Sequence, residues 1–166
     1  MIAETYNLRP LVRPTADTVA SMARILITGM SGTGKSTILA ELSARGWRTV
    51  DTDYDGWTDG NGGPWDELRM AELLAHNSKV VVSGTSENQV HFYDRFEHVV
   101  LLSAPVDVLI DRVRGRINNP YGQSAEQQRQ IRSDVTEVEP LLRRGATVEL
   151  DARLSVESLV DAIESL

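Results

Sequence analysis

The run from Arg24 to Thr37, Arg-Ile-Leu-Ile-Thr-Gly-Met-Ser-Gly-Thr-Gly-Lys-Ser-Thr, constrains this chain of 166 residues more than any other feature. Gly29, Gly34, Lys35 and Ser36 fill every fixed position of the pattern G-x-x-x-x-G-K-[ST], in which a glycine-rich loop wraps a phosphate. The flanks agree with it. Ile25-Leu26-Ile27 is a short apolar run of the kind that makes a buried parallel strand, and apolar residues at 38, 39 and 42 give the next segment helical spacing. Glycine at 29, 32 and 34 lets the backbone curl with its N–H groups inward, and a helix starting near Lys35 adds the positive end of its dipole. Lys35 is placed to reach the β- and γ-phosphates as a point charge, and the Ser36 hydroxyl to hold Mg²⁺, a hard cation that prefers oxygen. Ser31, Thr33 and Thr37 lie within or just after the loop and complete the set of residues expected around the nucleotide. A plain glycine turn with a surface lysine would need neither the hydroxyl nor three glycines at this spacing.

From Arg24 onward, apolar runs of strand length alternate with stretches of helical period. Strands are expected at 24–28, 47–50 (ending at Asp51), 79–83, 98–102 and 146–150. Helices are expected at 35–45, 65–76, 87–96, 105–116, 124–143 and 156–163, with Gly46 closing the first and Pro105 opening the fourth. Pro140 should end or kink the 124–143 segment. The glycine- and aspartate-rich stretch 53–64 and the cluster Asn118-Asn119-Pro120-Tyr121-Gly122 read as loops. Five strands alternating with helices predict an α/β fold with a parallel sheet covered on both faces.

Residues 1–21 differ from the rest: they hold Pro10 and Pro14 and no sustained period. They are expected to be an arm or tail, with Met22 as an alternative start, and 22–166 to form one domain. No apolar run approaches membrane-spanning length, and no secretory signal core is present at the N-terminus. The net charge of −7 argues against a nucleic-acid surface, which needs a basic stripe. With no cysteine, disulfides, thiolate metal sites and cysteine nucleophiles are excluded. These features point to a cytoplasmic protein, a monomer or homodimer, with a small-molecule partner.

In a sheet of this kind, ligands bind beyond the carboxyl ends of the strands. After the second strand stand Asp51-Thr52-Asp53, followed by Tyr54 and Asp55; after the third stand Ser83-Gly84-Thr85-Ser86-Glu87-Asn88-Gln89. Asp51 could orient Mg²⁺ through water, and Asp53 could hold an acceptor hydroxyl and take its proton. The third strand ends in Ser83-Gly84 and not in the aspartate that motor ATPases use as a magnesium ligand, which weakens a motor or switch reading. Arg112 and Arg116, four apart at the end of the fourth helix, share a face; one could stack on a base and the other could meet the transferred phosphoryl group. Arg114 is a weaker candidate. A solvated basic last turn, favoured by the helix dipole, is the alternative for all three.

With these motifs the chain resembles the small phosphate-loop kinases of the adenylate kinase-like group, most nearly the shikimate kinase and gluconate kinase type. The resemblance covers roughly residues 24 to 166. It rests on the phosphate loop, on Asp51-Thr52-Asp53, on Ser83-Gly84, and on Asp111-Arg112 through Arg116 before a short lid. It implies a P-loop NTPase fold with strand order 2-3-1-4-5, a mobile lid, and ATP and Mg²⁺ as cofactors. Lys35 and Ser36 would then bind phosphate and metal, Asp53 the acceptor, Arg112 the adenine face, and Arg116 would be the lid arginine. The acceptor region departs from the family. It is acidic and aromatic (Asp53, Tyr54, Asp55, Trp57, Asp59, Trp65, Asp66, Glu67), with Arg69 and Arg95 the nearest arginines. Such a site is expected to suit a polyhydroxylated neutral or amine-bearing acceptor, with a tryptophan face against the ring. A nucleoside or nucleotide kinase, or a nucleotide-binding ATPase without a small acceptor, are the competing readings.

Overall fold

The structure is a computed structural model that describes residues 22–59 and 62–166; the expected arm or tail at 1–21 lies outside these. Five parallel strands form one sheet: β1 (Ala23–Thr28), β2 (Thr49–Asp51), β3 (Lys79–Ser83), β4 (His98–Ser103) and β5 (Val148–Asp151). Their order is β2-β3-β1-β4-β5, as the resemblance implied. The central three strands are apolar on both faces because helices cover both. On one face α1 (Lys35–Ala44) and α6 (Val156–Glu164) send Ile38, Leu42, Val160 and Ile163 against Ile25, Ile27 and Val81. On the other, α2 (Glu67–His76) packs Met70 and Leu74 on Leu26, Val80 and Val82. Next to it, α3 (Val106–Gly115) and α5 (Glu139–Gly145) cover Leu101 with Leu109 and Leu142. The helix α4 (Ala125–Glu137) lies on α3 through Ile131, Ile110 and Val113.

Local chemistry sets most boundaries. Gly46, at φ +90°, follows the end of α1. Asp66 caps α2 by accepting from the Arg69 N–H at 3.0 Å, so the helix begins two residues later than its spacing suggests. Ser124 and Gln127 form a reciprocal capping box on α4. The expected 124–143 helix is two helices meeting at Val138; Pro140 falls in the first turn of α5, where its missing N–H has no role. The expected 87–96 helix is a 3₁₀ helix at Gln89–Arg95. Among the described residues no helix is long and apolar enough to cross a membrane.

Candidate active site

The central strand delivers the phosphate loop. After Thr28 the chain turns at Gly29, where a Cβ would lie 2.4 Å from the Leu102 carbonyl oxygen, so β4 leaves room only for glycine. Gly34, at φ +91°, is the N-cap of α1, and Gly32 stands at φ +89°. Thr33 is buried and its hydroxyl donates to Met30 O at 2.9 Å, holding the turn from inside. Lys35 folds back along the loop and donates to Gly29 O at 2.6 Å and Met30 O at 3.2 Å. Burial lowers the pKa of its ammonium, against the pull of Asp53 and Asp51. An incoming phosphate would offer this desolvated ammonium a full charge in place of two carbonyl dipoles. Thr37 is exposed on the first turn of α1.

Register brings the acidic residues to the loop. Asp51 pairs with Ser83, and Ser83 with Ile27, so the ends of β2, β3 and β1 lie side by side. There the Ser36 hydroxyl donates to Asp51 Oδ2 at 2.9 Å. This hydroxyl and carboxylate form a hard, all-oxygen pair next to the loop, as Mg²⁺ requires; Mg²⁺ usually takes one or two protein oxygens plus substrate phosphates. Among the described residues no group of three or more His, Asp or Glu could hold a metal unaided, so the pair would hold it only together with phosphate oxygens. Asp51 also accepts from the Asp53 N–H at 3.1 Å, which fixes the turn into the next loop. Desolvation pushes the pKa of Asp53 up, with the Asp51 charge adding to it and Lys35 opposing. A carboxylate in that condition is a better proton acceptor than an ordinary aspartate.

Arg112 and Arg116 both reach the phosphate loop, but not from one helix face: α3 ends at Gly115 and Arg116 is its extended C-cap. Arg112 donates to Ala152 O at 2.9 Å and Gly32 O at 3.4 Å, bridging the phosphate loop to the turn after β5. Arg116 donates to Ser31 Oγ at 3.2 Å and to the carbonyls of Tyr121 at 2.7 Å and Asn119 at 3.1 Å. It therefore links the 118–122 loop to the phosphate loop. Desolvation lowers its pKa, while Tyr54 and Tyr121 act on it in the opposite sense. Arg114 turns away, to Gln128 on α4.

The segment after β3, singled out by its position, supplies a network to the loop whose individual roles the sequence did not assign. Thr85 donates to Gly29 O at 3.0 Å, the same carbonyl that receives Lys35, and Gln89 joins Thr28, the Ser86 N–H and the Tyr93 hydroxyl beneath the loop. Only the position after β3 pointed toward this network. The tryptophans, by contrast, do not offer a ring face to a ligand. Trp57 and Trp65 are buried in the core with Met70 and Phe92, which corrects the expected tryptophan-faced pocket.

A parallel 2-3-1-4-5 sheet whose central strand ends in a glycine loop, a lysine and a hydroxyl defines a phosphate-loop nucleotide-binding protein. The chain belongs to the AAA domain family, whose model matches residues 25–133. Its fold is that of the small phosphate-loop kinases. It is similar to shikimate kinase from Acinetobacter baumannii (TM-score 0.62, 20% identity, covering 87% of this chain and 94% of that one). Shikimate kinase from Bacteroides thetaiotaomicron gives TM-score 0.63 at 21% identity, covering 86% and 97%. A gluconokinase from Sinorhizobium meliloti 1021 gives 0.60 at 19%, covering 87% and 91%. No curated protein matches the sequence.

Proposed function

We propose that this protein is an ATP- and Mg²⁺-dependent phosphotransferase that phosphorylates a hydroxyl of a small polar metabolite in the cytoplasm, and that residues 22–166 are the catalytic unit. The observation that carries this reading is the convergence at the ends of β1 and β2. Lys35 lies in the field of Asp51 and Asp53, and the Ser36 hydroxyl is bonded to Asp51. A nucleotide switch needs the loop and a metal oxygen; it does not need a second carboxylate of raised pKa two residues on. In the proposed reaction the loop N–H groups and Lys35 hold the β- and γ-phosphates. Ser36 and, through water, Asp51 would hold Mg²⁺, which would neutralise phosphate charge. Arg112 would lie against the adenine. As the acceptor oxygen bonds to the γ-phosphorus and the bond to the ADP oxygen breaks, Asp53 takes the hydroxyl proton and Arg116 faces the equatorial oxygens. Most of the rate would come from positioning and fixed charge. The neighbouring kinases of the same fold support the reading.

The test is ADP release with Mg²⁺ over a panel of sugars, sugar acids, nucleosides, nucleoside monophosphates and amino sugars, with Lys35→Ala as the blank. One class should raise turnover far above the acceptor-free rate and gain a phosphate. ATP binding with no stimulation by any class would instead favour a nucleotide-binding module.

A further inference from the structure

We infer that the acceptor is a neutral or amine-bearing polyhydroxyl compound, not a carboxylate or phosphate ester, and that Arg69 serves the acceptor loop and not the substrate. The inference rests on the phosphotransferase reading and narrows it. A site that grips an anionic acceptor needs a free guanidinium or ammonium on the acceptor side. Between Asp51 and Arg69 the chain carries six carboxylates and one guanidinium, that of Arg69 itself. Its Nη1 donates to Asp55 O at 2.6 Å and Gly56 O at 3.1 Å, and its guanidinium carbon sits 3.9 Å from the centre of the Trp57 ring. Asp55 is the one non-glycine residue at positive φ (+61°) among the described residues, so Arg69 clamps a turn held in the left-handed region. It also roofs Trp57, which is 6% exposed.

The second arginine, Arg95, lies 5.7 Å over the Phe92 ring at the end of its 3₁₀ helix. Lys35, which lies beside Asp53, and Arg116 are taken up by the phosphates in the proposed reaction and leave no cation over for an acceptor anion. A substrate carboxylate next to Asp53 would therefore meet like charge, whereas a hydroxyl can donate to Asp53 and an ammonium is drawn to it. One neutral donor on this side, Trp65 Nε1, is buried without a partner among the described residues. Another atom of its ring, Cζ2, lies 3.7 Å from where a Gly84 side chain would stand.

The experiment compares matched trios on several open-chain and ring skeletons, each as acid, alcohol and amine (gluconate, glucitol and glucamine are one trio). kcat/KM is read from ADP release and product phosphate, for the full chain and for Arg69→Gln. The best acceptor should be an alcohol or amine, with its acid lower by about tenfold or more, the scale of one uncompensated charge contact in a partly solvated site. Arg69→Gln should lower thermal stability and leave the acid-to-alcohol ratio unchanged. A preferred acid whose KM rises about tenfold or more in Arg69→Gln would overturn the inference and leave the phosphotransferase standing. If ATP binds and no member of any trio is phosphorylated, the phosphotransferase reading falls and the inference falls with it.

Discussion

Gly84→Ala should be among the most damaging single-methyl additions in this protein, because Gly84 sits where β3 hands over to the site. The residue has φ +154°, and its N–H donates to Ile27 O at 3.0 Å. A Cβ there would lie 1.8 Å from Thr52 Oγ1 and 3.2 Å from Thr52 Cβ. Thr52 cannot simply step aside. It is 2% exposed, and both its hydroxyl and its N–H donate to Ser83 O at 2.9 Å. The variant thus overpacks a closed site, at about 1–3 kcal/mol. It breaks the hydroxyl bond, at about 1 kcal/mol. It also holds an alanine in a backbone conformation that costs about 1 kcal/mol or more. Together these come to about 3–5 kcal/mol, a large share of the roughly 5–15 kcal/mol that holds a typical domain folded.

Urea unfolding followed by circular dichroism measures this cost directly, and Thr52→Ala tests its cause. Thr52→Ala alone should lose about 1 kcal/mol with the hydroxyl bond. In that background neither the Oγ1 contact nor the hydroxyl bond exists, so Gly84→Ala should cost about 2–4 kcal/mol less than in the parent. Because Asp51 and Asp53 flank Thr52, turnover should also fall in Gly84→Ala and partly return in the double variant. A cost under about 1 kcal/mol, or the same cost in both backgrounds, would refute the argument that Thr52 and Gly84 are locked together.

Lys35→Met should weaken ATP binding in titration calorimetry and cut turnover by about a hundredfold or more, as loss of a preorganised phosphate cation does. The acid limb of the rate–pH profile should lie above the ordinary aspartate value of about 3.9, because activity needs ionised Asp53 and is lost as pH falls through its raised pKa. That limb should vanish in Asp53→Asn. A raised folded pKa also means that ionised Asp53 opposes folding above it, so Asp53→Asn should melt higher than the parent at pH 7 and no higher below the unfolded aspartate pKa. Ser36→Ala and Asp51→Asn should each raise the Mg²⁺ concentration needed for half-maximal turnover by about tenfold or more, the effect of losing a metal ligand or its orienting partner. The double variant should be little worse than either, since the two groups share one hydrogen bond.

The elements most legible in the sequence were those whose signals are local. The phosphate loop announces itself by spacing, and β1, β3 and β4 by apolar runs too short for helices and buried on both faces. The split at Val138 was legible only to within two residues, because a proline forbids the interior of a helix but favours its first turn, so Pro140 starts α5 instead of interrupting one long helix. The tryptophans show the opposite limit. Trp57 stands in a loop-like stretch full of glycine and aspartate, and Trp65 at its edge, where the expected helix 65–76 begins; a ring face toward the site was the expectation for both. They are buried because distant segments return over them: Arg69 of α2 covers Trp57, and Asn88, after β3, fixes Trp65 by accepting its N–H at 2.9 Å and donating to its carbonyl at 3.0 Å. Nothing near either residue in sequence encodes those contacts.

The division of labour between β2 and β3 follows from the same distinction. Read alone, the end of β3 lacks the carboxylate that would serve a metal, and Asp51 is one acidic residue among several in its loop. Parallel register removes the ambiguity, since Asp51 stands opposite Ser83 and therefore at the height where a β3 aspartate would have stood. The Ser36 hydroxyl bonds to it across the short gap from α1. Moving the acid one strand outward leaves a small residue and a glycine at the end of β3. That in turn allows Thr52 to pack against Gly84 and sets Asp53 beside Lys35. The missing acid on the third strand and the paired acids on the second are thus one arrangement, in which β2 brings both carboxylates to the phosphate loop and Thr52 fills the room that Gly84 leaves.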